Sequence, residues 1–199
     1  MSGPERGPTL DAQPGVRLRH CAVDVIEVSA LRGRAAELAA IAARRGMPLP
    51  AAGHAVAAPD RLVLSFRPDR WLVLTPQSSA GADAIVSEWQ ELLAGQGVVV
   101  DLSSGLAAFH LAGKRIRELL ARACRLDLDP GIFPMGHAAV TIMTQVAVTL
   151  VALPSGLLLL TPATTARHFR EWLAAAAKPF GFMTQANLTV AELAGSEVT

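Results

Sequence analysis

The feature that most constrains the fold of this chain is an internal duplication. Groups of residues in the first half recur in the second half at closely similar intervals: Gly53-His54 as Gly136-His137, Thr75-Pro76 as Thr161-Pro162, and Trp89 as Trp172. Self-similarity at a nearly fixed interval indicates a structural unit that occurs twice. The chain is therefore expected to fold as two related lobes.

The local pattern of each unit predicts a strand, a helix, three further strands and a second helix, in that order. In the second unit the strand spans Leu106 to Leu111, because apolar residues there alternate or cluster in a short run. From Gly113 onward the apolar residues recur at the spacing of a helix: Ile116, Leu119, Leu120, Ala123 and Cys124. Polar residues take the opposite face, which is typical of an amphipathic helix.

The other elements follow from the same periodicities. Strands are predicted at residues 20–28, 54–58, 61–66, 71–75, 138–144, 146–153 and 157–160, and helices at 33–45, 82–94 and 162–178. Short hairpins connect most of these strands, which favours antiparallel sheets over a doubly wound parallel sheet. The expected fold class is α+β, with two duplicated strand-helix-strand-strand-strand-helix lobes whose sheets are covered by helices.

The expected domain organisation is a single folded unit with two tails. Residues 1–15 are rich in glycine and proline and lack the apolar core of a signal peptide, so they are expected to be a disordered tail. Residues 16–183 are expected to form one α+β domain whose lobes span about 16–96 and 97–183. Residues 184–199 are expected to be a C-terminal tail, and their weak pattern also fits a final strand or an arm that reaches a partner.

Composition narrows the classes of partner. The net charge of +1 favours neither nucleic acid nor an anionic membrane as a partner, and no apolar run approaches the roughly 18 residues that span a bilayer. Cys21 and Cys124 are too few for a disulfide framework or a zinc site, which fits a reducing cytoplasm. A hydrophobic content of 51% predicts either a large core or a large surface that faces a partner, and both remain open.

The sequence contains no recognisable catalytic, cofactor-binding or metal-binding constellation. His110 lies in a predicted strand between Phe109 and Leu111, which favours a place in the core or on a sheet face over a catalytic role. His54 and His137 are related by the duplication, which favours a structural role at the start of a strand. The glycines form no nucleotide-binding loop, and the histidines lack the spacing of metal ligands.

Two acidic motifs are interpreted as local structure. Asp101 and Ser103 follow an apolar strand, and such side chains commonly bond to nearby backbone groups. Asp127 and Asp129 follow the amphipathic helix, where closely spaced carboxylates are more often turn-formers than a catalytic pair.

Several motifs together resemble the gamma subunit of heterotetrameric sarcosine oxidase. They are Pro68-Asp69-Arg70-Trp71-Leu72 in the first unit, and Asp101-Leu102-Ser103-Ser104-Gly105, Gly113, Cys124-Arg125-Leu126-Asp127-Leu128 and Phe133-Pro134-Met135-Gly136 in the second. The resemblance covers about residues 15–181. More distantly, the chain is similar to the folate-binding region of the glycine-cleavage aminomethyltransferases. Arg67 departs from the pattern, because a small residue is expected before the proline.

The resemblance implies a non-catalytic subunit of a four-subunit complex that oxidatively demethylates sarcosine to glycine. It implies alpha, beta and delta partner subunits, chiefly the large alpha subunit, and places FAD, covalent FMN, NAD, folate and zinc in those partners. This chain would bind none of them and would support assembly. The preference for sarcosine over related N-methyl amines is left open.

Two other functions remain as alternatives. The first is an independent folate-binding or one-carbon-transfer protein, which in the aminomethyltransferases depends on an acidic hairpin turn. The matching residues 144–149 read Thr-Gln-Val-Ala-Val-Thr and contain no carboxylate. The second is a stand-alone scaffold of the same fold. Trp71 and Phe133 are the candidate partner-interface residues, because they lie at hairpin and loop positions, and core packing is the alternative for both.

Overall fold

The computed structural model describes residues 14–58, 60–93 and 95–193, and its elements repeat once along the chain. The first unit comprises β1 (Val16–Cys21), β2 (Val23–Ala30), α1 (Ala35–Arg44), β3 (His54–Ala58), β4 (Arg61–Arg67), β5 (Arg70–Pro76) and α2 (Asp83–Leu93). The second comprises β6 (Gly97–Asp101), β7 (Leu106–Ala112), α3 (Ile116–Leu120), β8 (Ala138–Met143), β9 (Val146–Leu153), β10 (Gly156–Pro162) and α4 (Ala163–Ala177). A 3-10 turn (Lys178–Phe180), β11 (Phe182–Thr184) and α5 (Val190–Leu193) follow.

The two units exchange their first strands. One sheet has the order β11-β1-β7-β10-β9-β8 and the other has the order β3-β4-β5-β2-β6. Strand β1 of the first unit therefore pairs with β7 of the second, and β6 of the second unit pairs with β2 of the first. The prediction of a single strand at residues 20–28 is wrong, because the chain leaves one sheet at Cys21 and enters the other at Val23.

The two sheets pack face to face, and helices cover their outer faces. Side chains of a strand alternate between the two faces of its sheet. On β2, Val25 therefore joins the core between the sheets, whereas Ile26 and Val28 join the core beneath α1 and α2. On β7, Phe109 likewise packs in the core beneath α3 and α4. The expected α+β class with antiparallel sheets is confirmed.

Helix lengths follow the apolar stripes only in part. The long helix α4 buries Phe169, Leu173 and Ala177 at a spacing of four residues against the sheet. Helix α3 is shorter than the predicted amphipathic segment and ends at Leu120. Ala94, the last residue of the predicted second helix, lies outside the described residues.

The duplicated histidines mark the junction of the units. His54 and His137 form an antiparallel bridge between the starts of β3 and β8. Residues on either side of them exchange two backbone hydrogen bonds of 2.7 and 2.8 Å. The imidazole rings lie edge to face, with centroids 4.9 Å apart. This placement accords with the structural role expected for both histidines.

The C-terminal segment closes one end of the space between the sheets. Strand β11 pairs with β1 in parallel, which departs from the antiparallel pattern elsewhere. Leu188 then bridges to Cys21, and Val190 and Leu193 are buried in the inter-sheet core. The tail expected from residue 184 onward thus packs on the domain as far as Leu193, whereas residues 1–13 and 194–199 lie outside the described residues. No helix in the described part of the chain is long and apolar enough to cross a membrane.

Candidate functional site

The Asp101–Ser103 motif fastens the connection between β6 and β7. The backbone N–H of Ser103 donates to Oδ1 of Asp101 over 2.8 Å, and this bond lowers the pKa of the carboxyl group below its usual range. The hydroxyl oxygen of Ser103 accepts a hydrogen bond from the backbone N–H of Val25 at 3.0 Å. The motif therefore has the structural role that the sequence predicted, since the Ser103 side chain is hydrogen-bonded to the backbone of the first unit.

The second acidic motif forms consecutive turns. Oδ1 of Asp127 accepts a hydrogen bond from the backbone N–H of Asp129 at 2.9 Å, and Oδ1 of Asp129 accepts one from Gly131 at 2.8 Å. Both carboxylates are thus held by backbone donors two residues further on, as expected of turn-formers. Across the described residues, no three His, Cys, Asp or Glu side chains are grouped in a way that could hold a metal ion.

The turn between β8 and β9 carries neutral side chains. Thr144 and Gln145 occupy its two central positions with φ of 48° and 68°, the left-handed conformation that a two-residue hairpin turn requires. The Thr144 hydroxyl donates to the carbonyl oxygen of Met143 at 2.7 Å. Because neither side chain is anionic, this turn has no group that could pair with a cationic amine.

The residues proposed for the partner interface are both buried within this chain. Trp71 is 3% exposed, and its indole N–H donates to the carbonyl oxygen of Pro50 at 2.9 Å. Phe133 is 7% exposed and packs edge to face on His137 with a centroid distance of 5.9 Å. Core packing, the alternative stated for each, describes their environment, and neither offers a free surface to a partner.

Six of the nine large apolar side chains that are exposed in the described residues lie instead on edge strands of the two sheets, whereas Leu31, Ile132 and Met135 lie outside the strands. On β6, one of the two edges of the five-stranded sheet, Val98 and Val100 are about half exposed. On β8, one of the two edges of the six-stranded sheet, Val140 and Ile142 are exposed, Ile142 to 64%. We call these two pairs the β6 edge pair and the β8 edge pair. Each pair shares one face of its strand, because the two residues are two positions apart.

Sequence reasoning missed both edge pairs, although a signal for each was present. Val98 to Val100 is an unbroken apolar run, and residues 138–143 are apolar on both faces with a single threonine. Such runs are typical of strands that are buried on both sides. Their exposure follows from their position at sheet edges, which the sequence does not specify.

Comparison with known proteins places this geometry in a family. The family model described as "Sarcosine oxidase, gamma subunit family" matches residues 32–178, which is most of the chain. The chain belongs to the sarcosine oxidase gamma subunit family. A sarcosine oxidase subunit gamma from Arthrobacter sp. is 32% identical over 129 residues, which span 64% of this chain and 61% of that relative. The matched part is thus under two thirds of the relative's length.

Two solved structures share the fold. Heterotetrameric sarcosine oxidase from Corynebacterium sp. U-96 includes a chain that is 26% identical, with a TM-score of 0.73 and coverage of 85% of this chain and 87% of that chain. Aminomethyltransferase T of the glycine cleavage system from Bartonella henselae is 16% identical, with a TM-score of 0.63 and coverage of 92% of this chain and 51% of that chain. The gamma-subunit family resemblance is therefore confirmed, and the likeness to the aminomethyltransferase concerns the fold.

Proposed function

We propose that this chain is a non-catalytic gamma subunit of a heterotetrameric sarcosine oxidase, and that it supports assembly of a complex that oxidatively demethylates sarcosine to glycine. Family membership over residues 32–178 supports this function. Its partners are alpha, beta and delta subunits, chiefly the large alpha subunit, and FAD, FMN, NAD, folate and zinc are held by those partners. The complex works in the cytoplasm, which suits the two free thiols, Cys21 and Cys124.

The observation that carries the proposal is the pair of apolar edge strands. Natural proteins normally protect a free edge strand with charges, prolines or a covering element. The β6 and β8 edge pairs instead present Val98, Val100, Val140 and Ile142 to water. Burial of apolar surface in a subunit interface is favourable by about 25 cal/mol per Å². A partner subunit that covers one or both edges would remove this exposed surface.

The experiment is co-expression of the tagged chain with the products of neighbouring genes. The proposal predicts that a yellow complex co-purifies, with flavin absorbance and sarcosine-dependent peroxide formation. A colourless, monodisperse chain that leaves these products behind would contradict it. Folate titration of that isolated chain would then test the folate-binding alternative.

Paired variants identify which edge faces the partner. V98K/V100K places two charges on the β6 edge, and V140K/I142K places two charges on the β8 edge. All four side chains are solvent-exposed, so each double variant is expected to fold, and each serves as the matched control for the other. The assembly surface is assigned to the edge whose variant abolishes co-purification. Retention of the whole complex by both variants would contradict a role for these edges.

A further inference from the structure

A small polar cavity lies between β1, β7 and the C-terminal segment. Its volume is about 150 Å³, and its lining includes Arg17, Arg19, His110, Ser155, Leu188 and Glu192. The two arginines are two positions apart on β1 and so point to the same face of the sheet. They lie opposite Ala112 and His110 of β7.

Positive charge exceeds negative charge around this cavity. Glu192 is its single carboxylate, and Oε2 of that group already accepts hydrogen bonds of 2.8 and 2.9 Å from Thr189. Oε1 of Glu192 lies 3.9 Å from Arg19, whose Nε donates to Gln185 at 2.8 Å. Within residues 14–58, 60–93 and 95–193, Arg17 forms no salt bridge. The Arg17 guanidinium thus lines the cavity without an acidic partner among the described residues.

His110 and Ser155 add one hydrogen-bond donor that their own contact does not use. Burial lowers the pKa of His110 to about 4, with smaller contributions from the charges of Arg19 and Arg17, so the ring is neutral near pH 7. A neutral imidazole has one N–H, and the Ser155 hydroxyl supplies one O–H. The contact of 3.0 Å between Nε2 and Oγ uses one of these two protons. In either tautomer of His110 the other proton is not used by this contact.

At the equivalent position in the first unit, the charges of the side chains balance each other. There Glu27 of β2 lies opposite Val100 of β6, as His110 lies opposite Arg19. Arg70 of β5 pairs with Glu27 at 3.2 Å, so the cation and the anion are both supplied by the fold. At the second position the corresponding strand carries a neutral histidine and the exchanged strand carries two arginines. The position equivalent to Glu27 therefore carries no carboxylate.

We propose that this cavity binds a small oxyanion, of the carboxylate or phosphate class. Its volume corresponds to about five water molecules, which suits acetate or inorganic phosphate. The planar fork of Arg17 matches the two oxygens of such an anion. Arg19 and the His110–Ser155 pair supply the remaining donors. The site depends on this chain alone, so it is independent of the proposed assembly.

The test is an NMR titration of the full-length chain, with sodium acetate and sodium phosphate as separate probes and sodium chloride added to keep the ionic strength constant. The imidazole signals of His110 are expected to shift saturably with at least one oxyanion, whereas those of His168, which is exposed on α4, stay in place. Loss of a charged hydrogen-bonding group commonly reduces affinity by about tenfold or more. R17Q is expected to show that loss, and R70Q, at the balanced position, is the matched control.

Several outcomes decide the proposal. A response to acetate alone assigns a carboxylate site, and a response to phosphate alone assigns a phosphate site. His110 signals that do not move, or that move equally with chloride, would overturn the proposal. R17K is the second variant, because it keeps the charge and removes the fork. If the affinity is unchanged in both folded Arg17 variants, the assignment of Arg17 as the anion-binding residue is wrong.

Discussion

The buried imidazole of His110 makes a specific prediction about acid stability. The side chain is 3% exposed and lies beside two arginines, so its protonated form is disfavoured in the folded chain. Its pKa is about 4 when folded, against an ordinary value of 6.5. The unfolded chain therefore binds more protons between these two values, and the free energy of unfolding decreases as the pH falls through this range.

The size of the effect follows from the two pKa values. The stabilisation due to neutral His110 is fully present above pH 6.5 and is lost progressively down to about pH 4. A difference of that size corresponds to about 3 kcal/mol in total, of which about 2 kcal/mol is lost between pH 7 and pH 5. This is a large share of the stability of an ordinary domain.

Urea unfolding followed by circular dichroism at pH 7, 6 and 5 measures the effect. The buffers contain neither carboxylate nor phosphate, because an anion in the cavity would favour protonated His110. H110Q is expected to lose about 1 kcal/mol at pH 7, since an amide only partly replaces the ring. Between pH 7 and pH 5, the free energy of unfolding of H110Q should therefore fall by about 2 kcal/mol less than that of the wild type.

H168Q is the control, because that side chain is exposed on α4. It is expected to reproduce the pH dependence of the wild type. The carboxyl groups with lowered pKa, Asp60, Asp101, Glu118, Glu171 and Glu192, also destabilise the chain in acid, but they do so below their usual pKa range, and among them only Glu192 is influenced by His110. Parallel profiles for wild type and H110Q would refute the reasoning.

Three further predictions concern stability and reactivity. S103A removes the hydroxyl that accepts a hydrogen bond from a buried backbone N–H, and it should lower the free energy of unfolding in urea by about 1–3 kcal/mol. S104A, which changes an exposed neighbour without a hydrogen bond, should lower it by less than about 0.5 kcal/mol. Equal losses would contradict the assigned bond. G156A would place a methyl group against the backbone of β7 and should prevent stable folding. G46A is also at positive φ but has open space around it, so it should cost only about 1–2 kcal/mol of stability. Comparable melting temperatures for the two variants would count against this reasoning. Burial raises the pKa of the Cys21 thiol to about 12, so mass spectrometry after alkylation should find it modified only when the protein unfolds; rapid modification of the native chain would be the contrary result.

The duplication and the regular elements could be read from the sequence because they depend on local patterns. The hairpins β4–β5 and β9–β10 are bounded by turn residues, and the apolar stripe of α4 follows the helical period. The break between β1 and β2 gives no such signal. Cys21, Ala22 and Val23 form a continuous apolar run without a glycine or proline, although the chain changes sheets there.

The edge strands show a second limit of local patterns. A three-valine run predicts burial, and Val99 does pack against the core beneath α1 and α2. Val98 and Val100 stay exposed because β6 is the last strand of its sheet. Strand order is decided by contacts between the two units, so the sequence of one unit cannot reveal which of its apolar faces remain open.

The cavity proposed to bind an oxyanion results from the strand exchange, which explains why no sequence motif predicts it. Arg17 and Arg19 belong to the first unit, and His110 and Ser155 belong to the second. The residues meet because β1 pairs with β7 across the boundary between units. In the first unit, Glu27 and Arg70 balance each other within a single repeat. The equivalent position in the second unit instead joins donors from both units, which the proposed oxyanion would bind.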